Sequence, residues 1–230
     1  MRRTFPLALT IILAFCVSNA QRATDQTAWD YAGHEREVKL EKKNVAADFV
    51  SNDFGWLCIQ DQSARLGNIG KDFQRFFIHF SDIFKDTSNL YIYHVRGKTR
   101  VRNNTCNFTG SMHLTSIRRA HDPDACENEI HPTVQGVSFF TYDFSEDPSQ
   151  KYTGKFQGTA VIQWYLDAKK KLCYDDTWSC ADAFTNNCFV GNGPVTLPEV
   201  LNHAIGRITV FRSPETLTLA QENFTLMKNI

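Results

Sequence analysis

From Gly154 to Leu166 the chain alternates. Phe156, Ala160, Ile162 and Trp164 fall at even spacing, the period-two signature of a strand with one buried face. Leu90-Tyr91-Ile92-Tyr93-His94-Val95, ending at Gly97, and Val134–Phe144 read the same way, rich in aromatic and β-branched residues. Asn107–Ile117 alternates too, with Phe108, Met112, Leu114 and the small Ser116 assigned to one face, and Arg207–Arg212 forms a last strand. Polar punctuation separates these runs. Arg118–Pro132 reads as a long loop carrying Cys126, Ser145–Gln150 as a turn, and Asp167–Lys171 as a lysine-tipped hairpin leading into Leu172-Cys173-Tyr174. Asp175–Gly193 is loop-like, and Leu197–Ile205, with Pro198 near its start, predicts a short helix.

One segment follows a different period. In Lys71–Asp86, Phe73, Phe76, Phe77, Phe80 and Phe84 recur at i, i+3, i+4, i+7 and i+11, with Asp72, Arg75, His79 and Asp82 between them. That spacing predicts an amphipathic helix. The sum predicts an α+β or mainly β chain, in which one helix covers an antiparallel sheet of five or more strands. A curved sheet or partial barrel, alternatively a sandwich, stapled by disulfides, accommodates it. Residues 54–230 form a single globular domain in this reading, preceded by a polar, sign-alternating arm over 21–53 that includes EREVKLEKK from Glu35 to Lys43.

Residues 1–20 belong to none of this. Arg2 and Arg3 precede the apolar run Phe5–Val17, and Ser18-Asn19-Ala20 places small residues before Gln21. That order is a secretory signal peptide, too short for a bilayer span. No later run is long enough to span either, so the expectation is a secreted, extracellular, soluble protein.

The chain has 25 basic and 25 acidic residues, and loss of Arg2 and Arg3 leaves it near −2. This balance speaks against a dedicated nucleic-acid binder, which shows a basic excess, and against a polyacidic calcium sponge. Cys16 leaves with the signal peptide. Six cysteines remain: Cys58, Cys106, Cys126, Cys173, Cys180 and Cys188. In an oxidising compartment they predict three disulfides among about 15 connectivities. A zinc site is the rival, but Cys173-x6-Cys180-x7-Cys188 lacks a closely spaced pair and a nearby histidine. Three N-glycosylation sequons, at Asn103, Asn107 and Asn223, agree with secretion.

The segment Gly154 to Gly191 contains G-K-F-Q-G (154–158), W-Y-L-D (164–167), Y-D-D (174–176) and N-N-C-F-V-G (186–191), with N-T-C-N-F-T-G (104–110) ahead of it. This order resembles an uncharacterised group of small, largely bacterial secreted proteins that share a G-x-F-x-G strand, a W-Y-L-D turn, a Y-D-D step and an N-N-x-F-V-G loop. The match covers roughly residues 90–191. Downstream, Asn192-Gly193-Pro194 stands where that group continues toward a tryptophan. The resemblance implies a common sheet scaffold; no established activity attaches to the group, so it supports nothing catalytic.

The densest polar cluster is Asp167, Asp175, Asp176, Asp182, Asn186 and Asn187. Paired carboxylates there could hydrolyse a glycoside or hold calcium, yet the calcium-loop spacing is absent and the same residues serve turns. The histidines (His34, His79, His94, His113, His121, His131, His203) form no zinc-hydrolase spacing, and Ser111 lacks a nucleophile-elbow context. Tyr91, Tyr93, Trp164 and Tyr165 could line a sugar- or lipid-binding surface, Trp164 being assigned to the core and Tyr165 to the opposite face. The leading expectation is a non-enzymatic extracellular protein, a matrix or surface component or binding module, with no cofactor and no metal. Its partners would be matrix components or a small ligand. A secreted hydrolase using carboxylates within 167–182 is the alternative. A small-ligand carrier with a calyx-like cavity is the third.

Overall fold

The structure is a computed structural model that describes residues 39–59, 65–69, 74–121, 133–175, 188–194 and 205–211. Ten strands and two single-turn helices occupy them. In chain order they are β1 (Lys39–Leu40), α1 (Ala46–Phe49), α2 (Trp56–Ile59), β2 (Arg65–Ile69), β3 (Gln74–Lys85), β4 (Ile92–Val101), β5 (Asn104–His121), β6 (Val134–Glu146), β7 (Lys155–Leu166), β8 (Leu172–Tyr174), β9 (Cys188–Pro194) and β10 (Ile205–Phe211).

The strands from β2 to β7 each pair antiparallel with the next, β7 pairs with β9, and β9 with β10. The last strand then returns to the first: Thr209 opposes Asn68 and Phe211 opposes Leu66. Eight strands thus form one antiparallel ladder that curls until its ends meet, which removes both edges. Short β1 pairs with the end of β5, and β8 with the end of β7. The expectation of a curled antiparallel sheet holds. The covering helix and the sandwich do not.

Within the predicted helix over Lys71–Asp86, Gln74–Lys85 is strand β3, and residues 71–73 lie outside the described residues. Phe76, Ile78 and Phe80 face the core at period two, and an irregularity between Phe80 and Asp82 shifts the parity so that Ile83 also turns inward. Phe77 lies on the outer face, buried beneath the Arg100 guanidinium, whose carbon is 4.6 Å from the ring centroid. Phenylalanines on both faces, combined with a bulge, mimic helical spacing. A bulge between Leu114 and Ser116 has the same effect on β5, turning Ser116 away from the face of Phe108, Met112 and Leu114.

Large rings fill the inner face, and glycines make room for them. Gly67 opposes Phe76, Gly97 opposes both Phe80 and Phe108, Gly110 opposes Phe144, Gly136 opposes Trp164 and Gly158 opposes Tyr142. A small residue across the ladder from a large one lets a narrow barrel close around aromatic side chains. At Gly136 a Cβ would fall 2.5 Å from Trp164 Cζ2, so the indole lies directly on the glycine backbone. Five ring pairs among Phe76, Phe80, Phe108, Tyr142, Phe144 and Phe156 have centroids 4.8–6.0 Å apart, the range of favourable aromatic contact. A smaller cluster, Val137, Phe139 and Val161, lies on the outer face against Leu40 and Ala120.

Residues 41–59 close one end of the barrel, the end where β3, β5 and β7 finish. Asn44 fits the β5 bulge: its Oδ1 accepts from Ile117 N at 3.1 Å and Ala46 N at 3.0 Å, and its Nδ2 donates to Thr115 O. Val45, Ala46, Phe49, Phe54, Leu57 and Cys58 are buried. Phe49 and Phe54 stack against Trp164 with centroids 5.0 and 5.4 Å away. The expected polar arm therefore ends earlier than residue 53. Its last residues are a plug, because their apolar side chains have a barrel end to fill.

Candidate functional site: the barrel interior

Polar side chains inside an apolar barrel need partners, and most of those here serve its two ends. At the plugged end, Lys85 Nζ donates to Val50 O at 2.6 Å and also to Asn52 O. Tyr93 OH donates to Asn52 O and accepts from Phe54 N, each at 3.3 Å. Arg65, 1 % exposed, donates from Nη2 to Cys58 O at 2.7 Å, and its guanidinium lies 5.1 Å from the Phe80 ring centroid. These three side chains bind backbone carbonyls that the single-turn helices leave open. Burial lowers the Lys85 pKa, with Asp53 acting against it, and burial pushes the Tyr93 hydroxyl up.

Glu146 holds the opposite end. It accepts from Thr99 Oγ1 and, through Oε2, from Gly154 N at 2.7 Å. It thereby ties β4 to the turn between β6 and β7. Burial raises its carboxyl above the ordinary value, against the pull of both hydrogen bonds. Cys106 lies beside it and is hydrogen-bonded to Asn104 and Lys151 O. Burial, then the Glu146 charge, raises the Cys106 thiol, the reverse of what a nucleophilic cysteine needs.

The polar atoms of two further inward side chains take no part in these hydrogen bonds, although the ring of one of them, Trp164, packs on Phe49 and Phe54 of the plug. Ser138 on β6 shares the parity of Phe140 and Tyr142, opposite Ile162, and Trp164 on β7 stands opposite Gly136. Both residues are 0 % exposed, and neither Ser138 Oγ nor Trp164 Nε1 has a hydrogen-bond partner among the described residues. Ser138 carries no motif. Only its place in the alternation of β6 would have drawn attention to it.

The residues expected to carry chemistry are dispersed. Asp167 is turn chemistry: its Oδ1 accepts from Lys169 N and Lys171 N, each at 2.8 Å. Asp175 is 0 % exposed and 3.4 Å from Gln135 Nε2. Asp176, Asp182, Asn186 and Asn187 lie outside the described residues, as do His34, His131, His203 and the helix predicted over Leu197–Ile205 except Ile205, which opens β10. Ser111 stands on β5 opposite Asp143. His94 Nε2 meets Asp86 Oδ2 at 2.7 Å; His79 is buried and His113 exposed. Tyr93 and Trp164 belong to the core, whereas Tyr91 and Tyr165 are half-buried. No group of three or more His, Cys, Asp or Glu able to hold a metal ion occurs among the described residues.

Cys58 lies in the plug, Cys106 at the opposite end of the barrel, and Cys173 on the face of β8 opposite to inward Tyr174. No disulfide joins cysteines within the described residues. Cys126, Cys180 and the side chain of Cys188 lie outside them. Asn103, at the tip between β4 and β5, and Asn107 on β5 are both exposed, and Asn223 lies outside the described residues. Among the described residues no helix is long and apolar enough to cross a membrane. No family model, curated protein or solved structure matches the chain.

Proposed function

We propose that this protein is a secreted, glycosylated, disulfide-bonded carrier that holds one small, largely apolar molecule within its barrel. The observation that carries this reading is the return of β10 onto β2, which curls eight antiparallel strands into a ring. Eight strands enclose a lumen of the size that side chains fill or that one small ligand occupies. The inner face carries phenylalanine, tyrosine, tryptophan and aliphatic residues, the residue types that line apolar ligand sites. Against the hydrolase alternative, Asp167 is committed to a hairpin turn and Asp175 is sealed from solvent beside Gln135. No specific observation favours a matrix component.

Native mass spectrometry of the protein purified from a eukaryotic secretion host, with titration of an apolar fluorescent probe, tests the reading. A co-purified small molecule or saturable one-to-one probe binding supports it. A folded protein showing neither would overturn it. The same sample should lose mass on deglycosylation at Asn103 and Asn107, whose exposure suits glycan addition. Peptide mapping without reductant should join Cys58, Cys106 and Cys173 to Cys126, Cys180 and Cys188 rather than to one another, because the first three stand at separate places on the barrel.

A further inference from the structure

Ser138 and Trp164 stand diagonally across the β6–β7 ladder on the inner face, Ser138 opposite Ile162 and Trp164 opposite Gly136. Their strands are paired, and the indole lies over Gly136, two residues before Ser138 on the same face. Ser138 Oγ and Trp164 Nε1 are each fully buried without a hydrogen-bond partner among the described residues. A stranded buried polar group costs about 1–3 kcal/mol. Two on adjacent strands of one wall point to a shared partner rather than two separate defects.

We infer that Ser138 and Trp164 anchor the polar end of the bound molecule, and that the group they receive is a neutral carbonyl oxygen. The inference rests on the carrier reading and names the ligand class. The indole N–H can only donate and the hydroxyl can donate, so the guest atom must accept. A carbonyl oxygen has two lone pairs and takes both bonds. A carboxylate fits worse. The inward cations Arg65 and Lys85 are engaged with the plug backbone at Cys58, Val50 and Asn52, and an ionised group buried without a counter-charge is far more costly than a neutral one. The rest of the guest is apolar, since Phe140, Ile162 and Ala160 share that wall.

The test compares a long-chain methyl ketone, the alkane of equal length and the carboxylic acid of equal length as competitors of an apolar fluorescent probe. Wild type, Ser138→Ala and Trp164→Phe are each examined. In wild type the ketone should bind about tenfold more tightly than the alkane, roughly the worth of one added hydrogen bond. Either substitution should remove most of that advantage, read as the ketone-to-alkane affinity ratio within each protein. In the ligand-free protein Ser138→Ala should raise Tm, because a stranded hydroxyl is replaced by a methyl. Trp164→Phe disturbs the packing on Phe49 and Phe54, so Ser138→Ala is the decisive variant. Equal binding of ketone and alkane in wild type, or a preference for the acid, overturns the inference while leaving the carrier reading in place. A lower Tm in Ser138→Ala with unchanged ketone affinity also overturns it, because the hydroxyl would then hold a structural water. Failure of all three competitors in a folded protein that binds no probe ends both readings.

Discussion

At Gly97 a Cβ would lie 2.2 Å from the His79 carbonyl oxygen and 2.5 Å from Phe108 Cε1. The first contact is with backbone, which cannot rotate away, so the clash must be relieved by moving β3 against β4. Gly97→Ala should therefore destabilise the protein by about 3 kcal/mol, at the upper end for an added methyl group in a packed core. A chemical-denaturation midpoint reads this directly, and a midpoint equal to that of wild type would show that the strands part easily there. Glu146 allows a prediction of opposite sign. Its folded pKa is raised by burial, so the folded state binds its proton more tightly than the unfolded chain does. The stability this adds is complete below the ordinary carboxyl pKa and is lost as pH rises through the elevated value. Glu146→Gln can keep bonds to both Thr99 and Gly154, so it should remove that decline and melt higher than wild type at pH 7. Melting temperature against pH for both proteins checks it; parallel profiles would count against the buried carboxyl.

The plug is the element whose attachment is most concentrated in a few side chains. It is two single turns of helix, too short to be stable alone, and is fixed by Asn44 in the β5 bulge and by Lys85, Tyr93 and Arg65 on its open carbonyls. Lys85→Met keeps the apolar stem and removes the donor. It should cost about 2 kcal/mol, the scale of a charge-assisted hydrogen bond to a partner left unsatisfied. Hydrogen exchange should then quicken over 45–59 and not over β6 and β7, which meet in their own ladder; uniform acceleration would mean that the plug is no separate unit. Strand β3 shows why elements were only partly legible in sequence. β6 and β7 carry an unbroken alternation through Val134–Phe144 and Gly154–Leu166, and both strands stand where that alternation puts them. β3 has phenylalanines on both faces, because Phe77 is roofed by Arg100, and a parity shift after Phe80. Neither the roof nor the shift is a local property.

For the whole molecule, the pairing of β10 with β2 joins the strands most distant in sequence among the described pairings, and it completes the ring. A chain ending at residue 204 should expose the free edges of β2 and β9, lose its cooperative melting transition and self-associate, as unpaired edges do. Size-exclusion chromatography and calorimetry decide it. A monomeric truncation with an unchanged transition would show that the first six strands of the ring and β9 are sufficient. The candidate site is likewise a property of the whole, since Ser138 and Trp164 are marked by what does not reach them.

The sequence by itself determined the mainly antiparallel β character, the inward set Phe156, Ala160, Ile162 and Trp164, and the lysine-tipped turn after β7, because these follow from period-two patterning and turn composition within one segment. Its address, cysteines and sequons frame the proposal of a secreted glycoprotein. Tertiary structure alone decided that β3 is a strand, that residues 45–59 plug one end, that Gly67, Gly97, Gly110, Gly136 and Gly158 each face a ring across the ladder, and that a serine without a motif stands diagonally across the ladder from an indole at the proposed anchor. Each depends on which residues lie opposite one another after closure, and strand register is set by the packing of all the strands together rather than by any one of them.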